Sequence, residues 1–124
     1  MGPLVALWLL FASAVSGLPI PPGPPPLVTL DEPAEPDHPT LGSTDLADGH
    51  IRLRPGWHGR SAADRCVLAH ELTHWLQVRN GQDFPCSAGV EPPAYRVEAL
   101  CFHILGQPQE ETQMLNRAEM FQCR

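Results

Sequence analysis

Residues 61–81 read SAADRCVLAHELTHWLQVRNG and predict a long helix around which the other elements are arranged. Ser61, followed three residues later by Asp64, is typical of a helix N-cap. At the other end, Asn80-Gly81 is a left-handed C-terminal stop signal. No Pro or Gly interrupts the segment between these two signals. The sequence therefore predicts one continuous helix that ends near Val78.

Residues 70–74 of this helix form an H-E-x-x-H motif. A spacing of four places His70 and His74 one turn apart on the same face, where both imidazoles can bind a tetrahedral zinc ion. Glu71 then lies beside the ion and can accept a proton from an attacking water. A chance match, with two core or surface histidines, is disfavoured because the motif lies on a capped helix with acidic residues downstream.

The third zinc ligand is not fixed by the spacing. A metzincin would carry Gly at position 77 and His at position 80, and this chain has Gln77 and Asn80. A carboxylate from a second helix remains, and Glu91 and Glu98 both qualify because seven residues place them on one helical face. Pro92 disfavours a helical backbone at the residue before it, so Glu91 is expected at the N-cap. Spacing alone leaves both glutamates open.

Two segments resemble an uncharacterised bacterial family of short secreted zincin-like proteins, and the wider gluzincin peptidases. The first is residues 67–77, VLAHELTHWLQ, and the second is residues 91–95, EPPAY, which follow Cys86. The second helix of gluzincins presents E-x-x-A followed by Asp, and residues 91–94 match its E-x-x-A. The resemblance covers roughly residues 50–105 and implies a minimal zincin-like fold with a zinc site.

The resemblance implies that Zn2+ is bound by His70, His74 and Glu91, with Glu98 as the alternative third ligand. Tyr95 stands where gluzincins have the Asp that orients a ligand histidine. Together with Glu71, Tyr95 is a candidate catalytic residue. Its hydroxyl could donate a hydrogen bond to a ligand histidine or to a developing oxyanion.

The four cysteines predict two disulfides in an oxidising compartment. A four-thiolate zinc site is disfavoured because the spacings are 20, 15 and 22 residues and no C-x-x-C occurs. Three pairings are possible. If the two ligand-bearing helices are antiparallel, Cys66 faces Cys101, and Cys86 pairs with Cys123.

The chain divides into three predicted segments. Residues 1–17 read as a secretory signal peptide, with a short buried helix of the mature fold as the alternative. Residues 18–48 contain nine prolines and predict a disordered linker. Residues 49–124 form the predicted zincin-like metal-binding domain.

The predicted fold is mainly α, in the α+β class. Besides the H-E-x-x-H helix, it has a second ligand-bearing helix from Pro92 to about Leu105 and a C-terminal helix over about residues 109–121. Residues 50–54, HIRLR, alternate in hydrophobicity and predict one short edge strand. That strand could bind an extended substrate by pairing with it.

Composition limits the function further. The formal net charge is −6, with 14 acidic residues against eight basic ones, all Arg, which disfavours nucleic-acid binding. No apolar run after the signal is long enough for a stable membrane anchor. We expect a secreted, monomeric zinc metallopeptidase that acts on peptide or protein substrates. The alternative is a non-catalytic zinc-binding or structural secreted module of the same fold.

Overall fold

The computed structural model describes residues 1–31 and 41–123. It confirms a mainly helical α+β architecture, with four helices and a small three-stranded sheet in this part of the chain. A 3-10 turn, Ser87–Val90, precedes the third helix. The helices are α1 (Gly2–Ser16), α2 (Ala62–Arg79), α3 (Glu91–Ile104) and α4 (Pro108–Met120). The strands are β1 (Val28–Leu30), β2 (Gly42–Thr44) and β3 (Ile51–Leu53).

The predicted edge strand lies in the middle of the sheet, which corrects the sequence interpretation. The strand order is β1-β3-β2, with β1 parallel and β2 antiparallel to β3. Ile51 and Leu53 are buried, as the alternation predicted. Periodicity reports which face of a strand is buried and says nothing about how many strands flank it. The strand at residues 51–53 is therefore paired on both sides and is not available to a substrate.

The segment predicted as a linker, residues 18–48, contributes two strands. Both β1 and β2 fall in stretches without proline, where the backbone N–H groups needed for pairing are present. Residues 32–40 of this segment lie outside the described residues. The ordered unit therefore begins earlier in the chain than the proline content indicated.

Most of the predicted signal segment, residues 1–17, is helix α1, whose C-cap Gly17 has a left-handed conformation. Its inward face consists of Val5, Trp8, Leu9 and Ala12, which belong to the core and are buried. A short buried helix of the mature fold, the alternative interpretation of this segment, stays a prediction. The assignment of the segment as a secretory signal stays a prediction. None of the described helices is long and apolar enough to cross a membrane.

Helix α2 is the central element of the fold and begins as predicted. Ser61 is its N-cap, with the side-chain oxygen accepting a hydrogen bond from the Asp64 backbone N–H at 3.1 Å. Every residue from Cys66 to Gln77 is buried, because β2 and β3 and helices α1 and α3 pack around the helix. Gly81, with φ of 61°, adopts the predicted left-handed conformation after the helix end. The H-E-x-x-H motif thus lies in the interior of the molecule.

Two disulfides cross-link the fold: one connects α2 to α3, and the other connects the loop before α3 to the residues after α4. Cys66 in α2 is bonded to Cys101 in α3, and Cys86 is bonded to Cys123. These are the pairs that the antiparallel arrangement of helices predicted. Disulfides persist in oxidising compartments, so the two bonds suggest an extracellular or otherwise oxidising environment.

Glu91 differs from the sequence expectation. It has φ of −76° and ψ of −42°, so it is the first residue of α3 rather than its N-cap, which is Val90. The backbone is already helical in the 3-10 turn that precedes α3. The two prolines that follow Glu91 occupy positions in the first turn of α3, where no backbone N–H is needed for helix hydrogen bonds. The preference against helix before Pro92 is overridden at this point.

Candidate metal centre

The two histidines of the motif approach each other through the same ring atom, Nε2. His70 and His74 are both fully buried on α2. Their Nε2 atoms are 3.2 Å apart. One turn of helix sets this proximity, as the spacing predicted.

Glu91 joins the histidines from the first turn of α3. Its Oε1 atom lies 2.7 Å from Nε2 of His74 and 3.3 Å from Nε2 of His70. The three atoms therefore form a small triangle between two helices. Glu71 also offers a carboxylate oxygen that lies within 4.8 Å of a ligand atom of each histidine.

This triangle has dimensions suitable for a zinc ion. Tetrahedral zinc with bonds of about 2.0–2.1 Å to nitrogen and oxygen separates its ligand atoms by about 3.3–3.4 Å. Two edges of the triangle, at 3.2 and 3.3 Å, are close to this separation, and the third, at 2.7 Å, is shorter. Two imidazoles and one carboxylate are also a donor set that zinc accepts. The residues fit such an ion in chemistry and on two of the three distances, and Glu91 would have to move away from His74 by about 0.6 Å to match the third.

Hydrogen bonds at the opposite ring nitrogens orient the two histidines. Nδ1 of His70 donates to Oε1 of Glu98 at 2.8 Å, and Nδ1 of His74 donates to Oε1 of Gln77 at 2.8 Å. In a neutral ring, a proton at Nδ1 leaves at Nε2 the lone pair that binds metals. In the metal-free chain, a second proton at Nε2 is donated to Glu91 instead. Glu98, predicted as an alternative third ligand, therefore contacts the nitrogen of His70 that faces away from the triangle.

Glu98 makes the contact with His70 that the gluzincin resemblance led us to expect from position 95. The gluzincin resemblance has an Asp directly after E-x-x-A, and Tyr95 occupies that position in this chain. The carboxylate that bonds His70 comes instead from Glu98, about one turn further along α3. A buried carboxylate behind a ligand histidine fixes the ring and increases its basicity.

The charges at the site shift two pKa values in opposite directions. Burial alone would lower the pKa of His70, but hydrogen bonds to Glu91 and Glu98 outweigh it and raise the pKa well above its usual range. Burial would raise the pKa of Glu91, yet the hydrogen bonds with His70 and His74 lower it from 4.5 to about 2. Without a metal, a proton on His70 partly balances the surrounding carboxylates.

We expect the stability of the metal-free chain to be highest between about pH 4.5 and 6.5. The raised pKa of His70 contributes stability fully below 6.5, and this contribution is lost as the pH rises through the folded-state pKa. The lowered pKa of Glu91 contributes above 4.5 and is lost as the pH falls towards 2. Urea unfolding of the chelator-treated protein at a series of pH values measures both limbs. A Glu91→Gln variant is the control, and an acidic limb as steep as that of the wild type would contradict the assignment.

Glu71 is held by the edge strand. The hydroxyl of Thr44, the last residue of β2, donates to Oε1 of Glu71 at 2.7 Å and lies 3.2 Å from the Glu71 backbone carbonyl. Gly42, at the start of β2, approaches the same side chain so closely that an added Cβ would lie 3.3 Å from Glu71 Cγ. Neither Gly42 nor Thr44 was predicted from the sequence, because β2 itself was not predicted.

Tyr95 packs beside His70. Its ring centroid is 4.6 Å from that of His70 in an edge-to-face arrangement, and on the other side the ring stacks on Phe121 at 5.6 Å. The side chain is buried. The contact with His70 is between the two rings, and the predicted hydrogen bond from the Tyr95 hydroxyl stays a prediction.

A cleft of about 590 Å³ opens onto this site. One wall is formed by Ser43 and Thr44 of β2, and the other by the 3-10 turn, with His74 and Glu91 between them. Both β2 and β3 contribute residues to the cleft, and of these two strands only β2 has an unpaired edge among the described residues. The edge available to an extended ligand is therefore β2, rather than the strand at residues 50–54.

Comparison with known proteins places the chain in a family without a described activity. No curated protein and no solved structure matches it. A family described as a domain of unknown function, DUF6647, matches residues 29–106. The matched region runs from β1 to just beyond α3, so it contains the sheet, both disulfide-linked helices and all the candidate ligands. The chain thus belongs to the DUF6647 family.

Proposed function

We propose that the chain is a secreted, zinc-dependent peptide hydrolase of gluzincin type. The observation that carries this proposal is the triangle of His70 Nε2, His74 Nε2 and Glu91 Oε1, whose atoms lie within 3.3 Å of one another. Buried charged groups are paired with one another or bind a metal ion, and a zinc ion would take over the charge balance that the proton on His70 gives the metal-free chain. The gluzincin-like order of the ligands along the chain supports zinc as that cation.

In the proposed reaction, Glu71 is the general base. Its carboxylate takes a proton from the water that attacks the peptide carbonyl, and then gives the proton to the nitrogen of the leaving amine. A zinc ion held by His70, His74 and Glu91 would lower the pKa of water and polarise the carbonyl. The Thr44 hydroxyl keeps the base in a single orientation towards the site.

The cleft supports a peptide as the substrate. Hydrogen bonds from Arg54 N to Leu41 O and from Asp45 N to His50 O connect β2 to β3. In an antiparallel ladder these paired positions alternate with unpaired ones, so the backbone groups of Gly42 and Thr44 point away from β3. An extended peptide could pair with these groups and lay its carbonyl beside Glu71.

The second candidate function is a zinc site that only stabilises the fold. It is favoured by the complete burial of both histidines and by the position of the ligands on two helices, which a metal ion would cross-link. Hydrolysis distinguishes the candidates, since both require the metal and only the peptidase requires Glu71.

Metal analysis of the purified protein tests the site. We expect about one zinc ion per chain in the wild type and almost none in His74→Ala, because two ligands rarely retain zinc. His103→Ala is the matched control, since this histidine is exposed and bonds Glu111 on the surface. A folded, disulfide-bonded wild type without zinc after incubation with the ion would contradict the proposal.

A further inference from the structure

Gln77 is a buried polar residue, and both the oxygen and the nitrogen of its side-chain amide form hydrogen bonds. It lies on α2, three residues after His74, and is 3% exposed. Its Oε1 atom accepts a hydrogen bond from Nδ1 of His74 at 2.8 Å, and its Nε2 atom donates to the backbone carbonyl of Val90 at 2.9 Å. Because Val90 directly precedes Glu91, one side chain connects a candidate ligand on α2 with the segment that presents another on α3.

The chemistry of these partners fixes the orientation of the amide. The Val90 carbonyl can only accept a hydrogen bond, so the NH₂ group of Gln77 must face it, and the amide oxygen must face His74. That oxygen can also only accept, so Nδ1 of His74 must carry a proton. Nε2, which contacts Glu91 at 2.7 Å, is then the ring nitrogen that loses its proton when a metal ion binds.

We propose that Gln77 is a positioning residue that sets the tautomer of His74 and fixes the start of α3 relative to it. The proposal rests on the proposed function for the identity of the bound ion. The two hydrogen bonds themselves exist in the metal-free chain and can be measured there. Gln77 thus gives His74 what Glu98 gives His70, with a neutral group in place of a carboxylate.

Two substitutions separate the contributions of the amide. Gln77→Met keeps the length of the side chain and removes both hydrogen bonds. Gln77→Glu keeps an oxygen that accepts from His74 and removes the donor to Val90. Thr73→Val is the matched control on the same helix, because it removes a buried hydrogen bond, from Thr73 to the Ala69 carbonyl, that does not involve a histidine.

The first readout is the imidazole NMR signal of His74 in metal-free protein, observed through ¹⁵N-labelled histidine. We expect a slowly exchanging Nδ1–H in the wild type, in Gln77→Glu and in Thr73→Val, and its loss in Gln77→Met. The second readout is zinc affinity, measured by competition with a chelator. We expect Gln77→Met to bind zinc about 10–100-fold more weakly, as for other residues that orient ligand histidines, and Thr73→Val to bind it unchanged.

The proposal is overturned if Gln77→Met keeps the protected Nδ1–H, or if it binds zinc as tightly as the wild type. An equal loss of affinity in Thr73→Val would also overturn it, since the effect would then reflect helix stability. If Gln77→Met does not fold, loss of the signal in Gln77→Glu decides against the proposal. A wild type that shows the protected Nδ1–H but binds no zinc refutes the proposed function and leaves the tautomer assignment supported.

Discussion

Replacing Glu71 with Gln should lower kcat for peptide hydrolysis by about 10²–10⁴-fold, the usual contribution of a general base, while zinc stays bound. Glutamine has nearly the same shape and can still accept from Thr44, but it cannot take a proton from water at neutral pH. The ligand atoms of His70, His74 and Glu91 are unchanged by the substitution. Hydrolysis of a quenched fluorescent peptide library and the zinc content of the same samples measure the two effects.

Glu119→Gln is the matched control for this variant, since it makes the same chemical change on the exposed surface of α4. It should retain both zinc and activity. Full activity in Glu71→Gln would refute Glu71 as the base. Zinc binding by both wild type and Glu71→Gln, with no peptide hydrolysed by either, would favour the structural module.

Removing the Cys66–Cys101 disulfide should lower the free energy of unfolding by about 3–4 kcal/mol, the loop-closure term for a cross-link over this chain length. The two cysteines are 35 residues apart. Cys66 lies one turn before His70, and Cys101 lies one turn after Glu98, so the bond also holds α2 and α3 together beside the site. We therefore expect the double variant Cys66→Ala/Cys101→Ala to bind zinc more weakly as well as to unfold at lower urea concentration.

The second disulfide is the control for this prediction. Cys86 and Cys123 are 37 residues apart, so the same loop-closure argument gives nearly the same loss of stability. Because neither Cys86 nor Cys123 lies on α2, comparing the zinc affinities of the two variants shows whether the position of the Cys66–Cys101 bond matters beyond its effect on chain entropy. Unchanged zinc affinity after removal of Cys66–Cys101 would contradict the idea that this bond aligns the ligands.

The parts of the site that lie on one helix were predictable from the sequence. The cap at Ser61 and the convergence of His70 with His74 depend on spacings of three and four residues, which an α-helix fixes without help from the rest of the chain. The family match over residues 29–106 also agrees with the prediction that the chain belongs to an uncharacterised family. The zinc ion and the peptidase activity remain predictions.

The parts that depend on contacts between elements were not predictable in the same way. The strands β1 and β2 lie in the segment whose proline content predicted disorder, and neither shows the alternation of buried and partly exposed residues found in β3. Gln77 appeared in the sequence only as a mismatch to another motif, although a Gln three residues after a ligand histidine is a usable signal. Glu98 could be placed on the face of Glu91, but only the docking of α3 shows which nitrogen of His70 it meets.

The length of β2 has a consequence for what the cleft can select. A strand of three residues extends about 10 Å, so it can hold no more than about three residues of a bound chain through their backbones. Pairing with so short a strand would recognise the extended main chain of a ligand and would discriminate little among its side chains. In the proposed enzyme, flexible tails, loops and unfolded polypeptides would therefore be better substrates than helices and compact domains, whose backbone groups are already paired. The proposed enzyme would then select its targets by their state of folding more than by their sequence.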